Sequence, residues 1–236
     1  MKLNRRRFLT SAAAGGTMLV VSSAGTSGEA QLVYRKADWD IAGFEQLVRN
    51  PAHVKQVYDI VQVGEGKFLN NLKNSLNGLH YGFGIAQTNV KVISALHGPA
   101  NLLAYDDAMW AKYQLGAFLK VMDPATSAPA TRNPFYASKH GNEFIYPSQD
   151  PDHPDSLYQD TSIMALQHRG VKFLSCHTAL EEQVRSLIKH NDLSVEPEAL
   201  AHEMMSHVLP NVLIVASMVA AIALLQVDGH YSYITV

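Results

Sequence analysis

Short apolar runs alternate along the chain with stretches whose apolar residues recur every three or four positions, which predicts strands and helices in turn. Ile41, Phe44, Leu47 and Val48 give residues 39–50 a helical period, and Asn50-Pro51 ends it. Residues 54–63, β-rich at Val57-Tyr58-Asp59-Ile60-Val61, read as the first core strand, with Gly64-Glu65-Gly66 as the turn behind it. Phe68, Leu69, Leu72, Leu76 and Leu79 then share one face of a helix over 67–79. A second strand over 90–96 closes on His97-Gly98-Pro99, and residues 100–105 and 108–119 read as helices. Residues 123–155 differ in character. Pro124, Pro129, Pro134, Pro147, Pro151 and Pro154 stand there among many Asp, Asn and Ser, which predicts a long ordered loop with Phe135 and Tyr136 tucked inward. Loops of that length are usually functional or interfacial.

Beyond the loop the pattern predicts a helix over 156–168, stopped by Arg169-Gly170, and a strand that runs through Val171 to Cys176. Helices over 178–189 and 197–208, a strand over 211–216, a helix over 218–226 and a closing strand over 231–236 complete the chain. Alternation of this kind implies right-handed crossovers and a mostly parallel sheet of about five strands, covered on both faces. The expected fold is one doubly wound α/β domain. The apolar stretch 208–227 approaches membrane length, but Pro210 and Asn211 break its start and strand followed by helix explains it better, so no integral span is expected.

With 236 residues, 47% of them hydrophobic, the chain can bury one substantial core. Its first 30 residues are a separate matter. Asn4-Arg5-Arg6-Arg7-Phe8-Leu9-Thr10 is a twin-arginine pattern, followed by a mildly apolar Gly/Ala-rich run and small residues up to Ala30. That reads as a bacterial Tat export signal, with cleavage near Gly28-Glu29-Ala30 or Ser22-Ser23-Ala24, and it predicts a periplasmic protein. Residues 31–51 then form an extension with a short helix, ahead of a domain over 52–236. Removing residues 1–30 leaves 15 basic and 20 acidic side chains, a net charge of −5. A mildly acidic chain without a Lys/Arg cluster argues against nucleic acid and anionic membrane surfaces as partners.

The chemistry that remains centres on one sulfur. Cys176 is the only cysteine, so no internal disulfide is available even in an oxidising compartment. It falls at the carboxyl end of a predicted strand and the amino end of a predicted helix. Open α/β sheets hold their ligands at that edge, and a helix amino end favours a thiolate. Cys176 is therefore either a nucleophile or a small buried residue. His97 ends the neighbouring predicted strand on the same edge, where it can orient or protonate a ligand or simply pair with a loop carbonyl. His177, beside Cys176, is a third candidate.

Gly64-Glu65-Gly66 lies where a dinucleotide fingerprint would, but Leu69 occupies the third glycine position and no acidic ribose partner ends the second strand; a tight turn is the better reading. The 11 histidines include no helical i, i+4 pair, and Asp150-Pro151-Asp152-His153-Pro154-Asp155 fits no calcium loop, so neither metal nor cofactor is expected. No Gly-x-Ser-x-Gly elbow is present either.

Gly64-Glu65-Gly66-Lys67-Phe68-Leu69, Leu96-His97-Gly98-Pro99-Ala100, Met109-Trp110-Ala111-Lys112-Tyr113-Gln114-Leu115-Gly116, Arg132-Asn133-Pro134 and Gly170-Val171-Lys172-Phe173-Leu174-Ser175-Cys176 stand in a characteristic order. Over roughly residues 52–236 the chain thereby resembles the DsrE/DsrF-like family, specifically its exported members. The resemblance implies a flavodoxin-like three-layer fold that assembles into homo-oligomers. It also implies a sulfur relay, in which a cysteine at the Cys176 position takes a persulfide sulfur from a small sulfur compound and passes it to a thiol-bearing partner. A binding or assembly module, with Cys176 only packing, is the alternative.

Overall fold

The computed structural model describes residues 39–236; the twin-arginine motif and both candidate cleavage sites lie outside the described residues. Five strands, β1 (Val54–Ile60), β2 (Val90–Leu96), β3 (Lys172–Cys176), β4 (Leu213–Val215) and β5 (Ser232–Thr235), pair in parallel in the order β4-β3-β2-β1-β5. The central strands are apolar on both sides: along β2, Val92 and Leu96 alternate with Ile93 and Ala95, and all are buried. The architecture is the flavodoxin-like three-layer α/β domain.

From β1 to β4 each connection steps to the next strand in the same direction, so right-handed crossovers put the intervening elements on one face. That face receives α2 (Lys67–Asn77), α3 (Asp107–Lys112), α4 (Leu115–Leu119), α5 (Ile163–His168), α6 (His177–His190) and α7 (Pro197–Ser206). Their apolar sides pack with Tyr58, Ile60, Val92, Leu96 and Phe173 in one core. The last connection runs back to lay β5 beside β1, so its helix, α8 (Met218–Val227), lies on the opposite face. There α8 and α1 (Ile41–Val48) close a smaller core on Val57, Ile93, Ala95, Leu174, Cys176, Leu213 and Val215.

Two predicted helices are broken in the fold. The stretch 108–119 divides into α3 and α4 because Gln114 takes a left-handed conformation (φ 51°). The kink seats Gly116 against Ala130 so closely that a Cβ would lie 2.2 Å from the Ala130 carbonyl oxygen. The stretch 156–168 divides into a 3₁₀ turn (Leu157–Gln159) and α5, whose N-cap is Ser162. Asp160 causes this break, spending its carboxylate on the Ser162 N–H, the Ser138 hydroxyl and the Tyr146 hydroxyl instead of continuing a helix. Residues 123–155 carry turns and isolated bridges only. Asn133 pins this loop to the first core by donating to the Leu103 and Tyr105 carbonyls, and Phe135 and Tyr136 pack against that core.

No helix among the described residues is long and apolar enough to cross a membrane.

Candidate functional site

β3 is followed by α6 on the first face and β4 by α8 on the second, so the chain leaves these adjacent strands in opposite directions. Such a reversal opens a crevice at the carboxyl ends of the two strands, where open α/β folds hold ligands. Cys176, the last residue of β3 and opposite Val215 of β4, lies at those carboxyl ends, buried in the second core.

The sequence puts the start of a helix on each side of the sulfur. Cys176 is the N-cap of α6, and its Sγ accepts the Ala179 N–H at 3.4 Å. The same Sγ accepts the N–H of Met218, the first residue of α8, at 3.3 Å, and Thr178 Oγ1 lies 3.1 Å away. Amide groups in the first turn of a helix have no partner within it, and they carry the positive end of the helix dipole. Two such ends converge on one sulfur, an arrangement that stabilises negative charge there. The sulfur is nonetheless recessed, since Cys176 is only 3% exposed and packs in the second core.

Behind Cys176 its backbone is clamped. Asn101, fully buried, accepts from the Cys176 N–H (2.8 Å) and the Ser175 hydroxyl (2.9 Å) and donates to the Cys176 carbonyl (3.2 Å) and Gln183 (3.1 Å). Gln183 closes the circuit on the Gly98 carbonyl, and the Tyr105 hydroxyl lies 3.4 Å from Ser175 Oγ. Burial pushes the Tyr105 phenol well above its ordinary value, so it stays protonated and able to donate. The turn after β2 can enter this network because Gly98 adopts φ 51°, where a Cβ would come within 3.0 Å of Val61.

His97, the first residue past β2, belongs to a second cluster on the same edge. Its Nε2 pairs with Asp59 Oδ1, and the Tyr233 hydroxyl donates to Asp59 Oδ2 at 2.5 Å. That bond to the carboxylate raises the Tyr233 phenol. Leu96 lies opposite Ser175, so His97 and Cys176 occupy the next position along two neighbouring strands. Asp59 alternates with Val57, which packs in the same core as Cys176, so both clusters belong to the α1/α8 face. His177 does not join either cluster. Its side chain, 6% exposed, places Nδ1 3.6 Å from Glu181 Oε1 and packs edge-on against Trp39, with no hydrogen bond to Nδ1.

Next to the crevice, an apolar cavity of about 210 Å³ lies between α1, the end of β4 and α8, lined by Trp39, Phe44, Val215, Ser217 and Leu224 among others. No group of three or more His, Cys, Asp or Glu side chains among the described residues could hold a metal ion.

Sequence reasoning put Cys176 and His97 at strand ends, where the structure also has them, but did not mark Asp59, Asn101, Gln183 or Tyr233 beside them. An acidic residue inside the apolar run Val57–Ile60 was the visible signal for Asp59, since an inward-facing carboxylate needs donors. Asn101 and Gln183 carry no comparable local mark. No family model, no curated protein and no solved structure matches the chain.

Proposed function

We propose that this is an exported, DsrE-like sulfur carrier in which Cys176 holds a persulfide sulfur. The supporting observation is the convergence of the Ala179 and Met218 N–H groups and the Thr178 hydroxyl on Cys176 Sγ, at the crevice between β3 and β4. In the loading step the Cys176 thiolate attacks the outer sulfur of a sulfane donor such as thiosulfate. One S–S bond forms on Cys176, the donor's S–S bond breaks, and sulfite leaves with the bonding pair. A thiol-bearing acceptor then takes the outer sulfur and returns Cys176 to the thiolate. Because the sulfur is recessed, the donor is a small compound and the crevice must open for it. The twin-arginine pattern favours a periplasmic setting. Val219, Leu224 and Val227, exposed on α8, favour a homo-oligomer.

A second reading rests on the 3% exposure of Cys176. Here the sulfur is a shared cap that joins the starts of α6 and α8 in a non-catalytic module whose adjoining cavity takes a small ligand. Mass spectrometry after incubation with thiosulfate or polysulfide separates the two. The first reading expects an adduct of about 32 Da, one sulfur atom, confined to Cys176. An unmodified Cys176 that also resists iodoacetamide in the folded, reduced protein at neutral pH establishes the second. Light scattering that finds only monomer removes the oligomer.

A further inference from the structure

We propose that His97 is the base that deprotonates the thiol receiving sulfur from Cys176, with Asp59 and Tyr233 as its positioning residues. This inference rests on the sulfur-carrier reading and adds to it the group that activates the acceptor thiol.

Three features of the cluster carry the argument. First, the bond between His97 Nε2 and Asp59 Oδ1 places the ring proton on Nε2, because a carboxylate accepts and cannot donate; Nδ1 is then the nitrogen with a free lone pair. Nδ1 has no hydrogen bond among the described residues and is not among their sealed polar atoms, and the His97 side chain is 19% exposed. Second, Asp59 is held on both oxygens, by His97 and by Tyr233 from β5, so the carboxylate cannot swing away and the imidazole is fixed in plane. A pairing made only to join β5 to β1 would need the tyrosine and the aspartate, not an imidazole with one nitrogen open to solvent. Third, the strand register ends with Leu96 opposite Ser175, and the alternation along β2 (Ile93, Ala95, His97) puts His97 on the face that Cys176 packs on, one residue past the register on the neighbouring strand.

The transfer step balances without any external oxidant or reductant. The acceptor's S–H proton passes to His97 Nδ1. The outer sulfur of the Cys176 persulfide, left anionic by loading, takes a proton from solvent; the acceptor thiolate attacks it, a new S–S bond forms to the acceptor, and the bond between that sulfur and Cys176 Sγ breaks. The electron pair returns to Sγ, where the N–H groups of Ala179 and Met218 receive it. The proton on His97 then leaves to solvent.

The test uses the full mature chain loaded with thiosulfate, and reads transfer to 2-mercaptoethanol per loaded Cys176. His97→Gln keeps a donor for Asp59 but cannot take a proton, and is expected to slow transfer about 100-fold, the lower range for loss of a general base. Asp59→Asn tests positioning through a readout that packing alone does not move. The imidazole ¹⁵N spectrum of His97 should show Nδ1 unprotonated in the wild type and lose that preference in the variant, while Asp59→Glu restores it in part. A cysteine-bearing peptide as a second acceptor reports the source of the thiol, the faster of the two being assigned. Loaded His97→Gln transferring at the wild-type rate to both acceptors overturns the role of His97 and leaves the carrier intact. A wild-type Cys176 that never loads overturns both.

Discussion

On one face of the sheet α2 to α7 and the proline-rich loop enclose Tyr105, Trp110 and Phe173 completely; on the other, α1 and α8 are the helices among the described residues that cover the strands. The two faces also differ in chemistry. The thick face buries a polar network in which Asn101, Ser175 and Gln183 satisfy one another, although Trp110 Nε1 and Ser94 Oγ are buried there without a hydrogen-bond partner. The thin face holds Cys176, Asp59 and His97, with one ring nitrogen and one recessed sulfur left for chemistry. A reactive group needs a route to solvent and a rigid support. In the proposed carrier the thin cover must open beside the recessed sulfur, and the clamped backbone reaching through from the thick side supplies the support.

The largest effect expected from disturbing that contrast is in the cores themselves. Phe173→Ala on the thick face should cost about 4 kcal/mol in urea unfolding, whereas Leu225→Ala under α8 should cost about 2–3 kcal/mol, because a lone helix can settle into the space. Equal losses would mean that the second face is as tightly built as the first. Next in size, Asn101→Ala leaves the Cys176 N–H and the Ser175 hydroxyl without their acceptor in a buried setting, for a loss of about 2–3 kcal/mol. The same variant should raise iodoacetamide labelling of Cys176, since the clamp behind the sulfur is gone; unchanged labelling would detach that network from the site.

The smallest effect concerns the loop. Burial pushes the Asp160 carboxyl up, yet hydrogen bonds from Ser162, Ser138 and Tyr146 outweigh it and hold the group below the usual carboxylate range. Burial and the bond to Asp160 in turn push Tyr146 up to about 12. A carboxylate depressed in the folded state stabilises fully above its unfolded value of about 4, and that contribution fades as pH falls through the lower folded value. Wild type and Asp160→Asn should therefore differ in urea midpoint at pH 7 and converge as the solution is acidified below pH 4. A pH-independent gap would show that Asp160 acts by shape and not by charge.

Strand and helix identity was legible because burial on both faces leaves continuous apolar runs in β2 and β3, and one-sided burial leaves a helical period, as in Phe68, Leu69 and Leu72 of α2. The kink at Gln114 and the break at Asp160 were not legible. Each is driven by partners distant in sequence or across a loop, Ala130 in one case and Ser138 with Tyr146 in the other. The site divides in the same way. Cys176 and His97 could be placed at a strand end because an apolar run stops there. Asp59 and Tyr233 are 174 residues apart, and only the return of β5 to the side of β1 brings the phenol to the carboxylate.

Amino-acid order by itself determined the alternation of elements, the parallel layered class and the location of a single sulfur between a strand and a helix, because local burial periodicity and turn residues are short-range properties. Tertiary structure alone decided that a second helix start also reaches that sulfur, that Asn101 locks its backbone, and that His97 is oriented by residues from the first and last strands. Those contacts depend on strand order and on which face each crossover takes, and no local pattern in the chain encodes either.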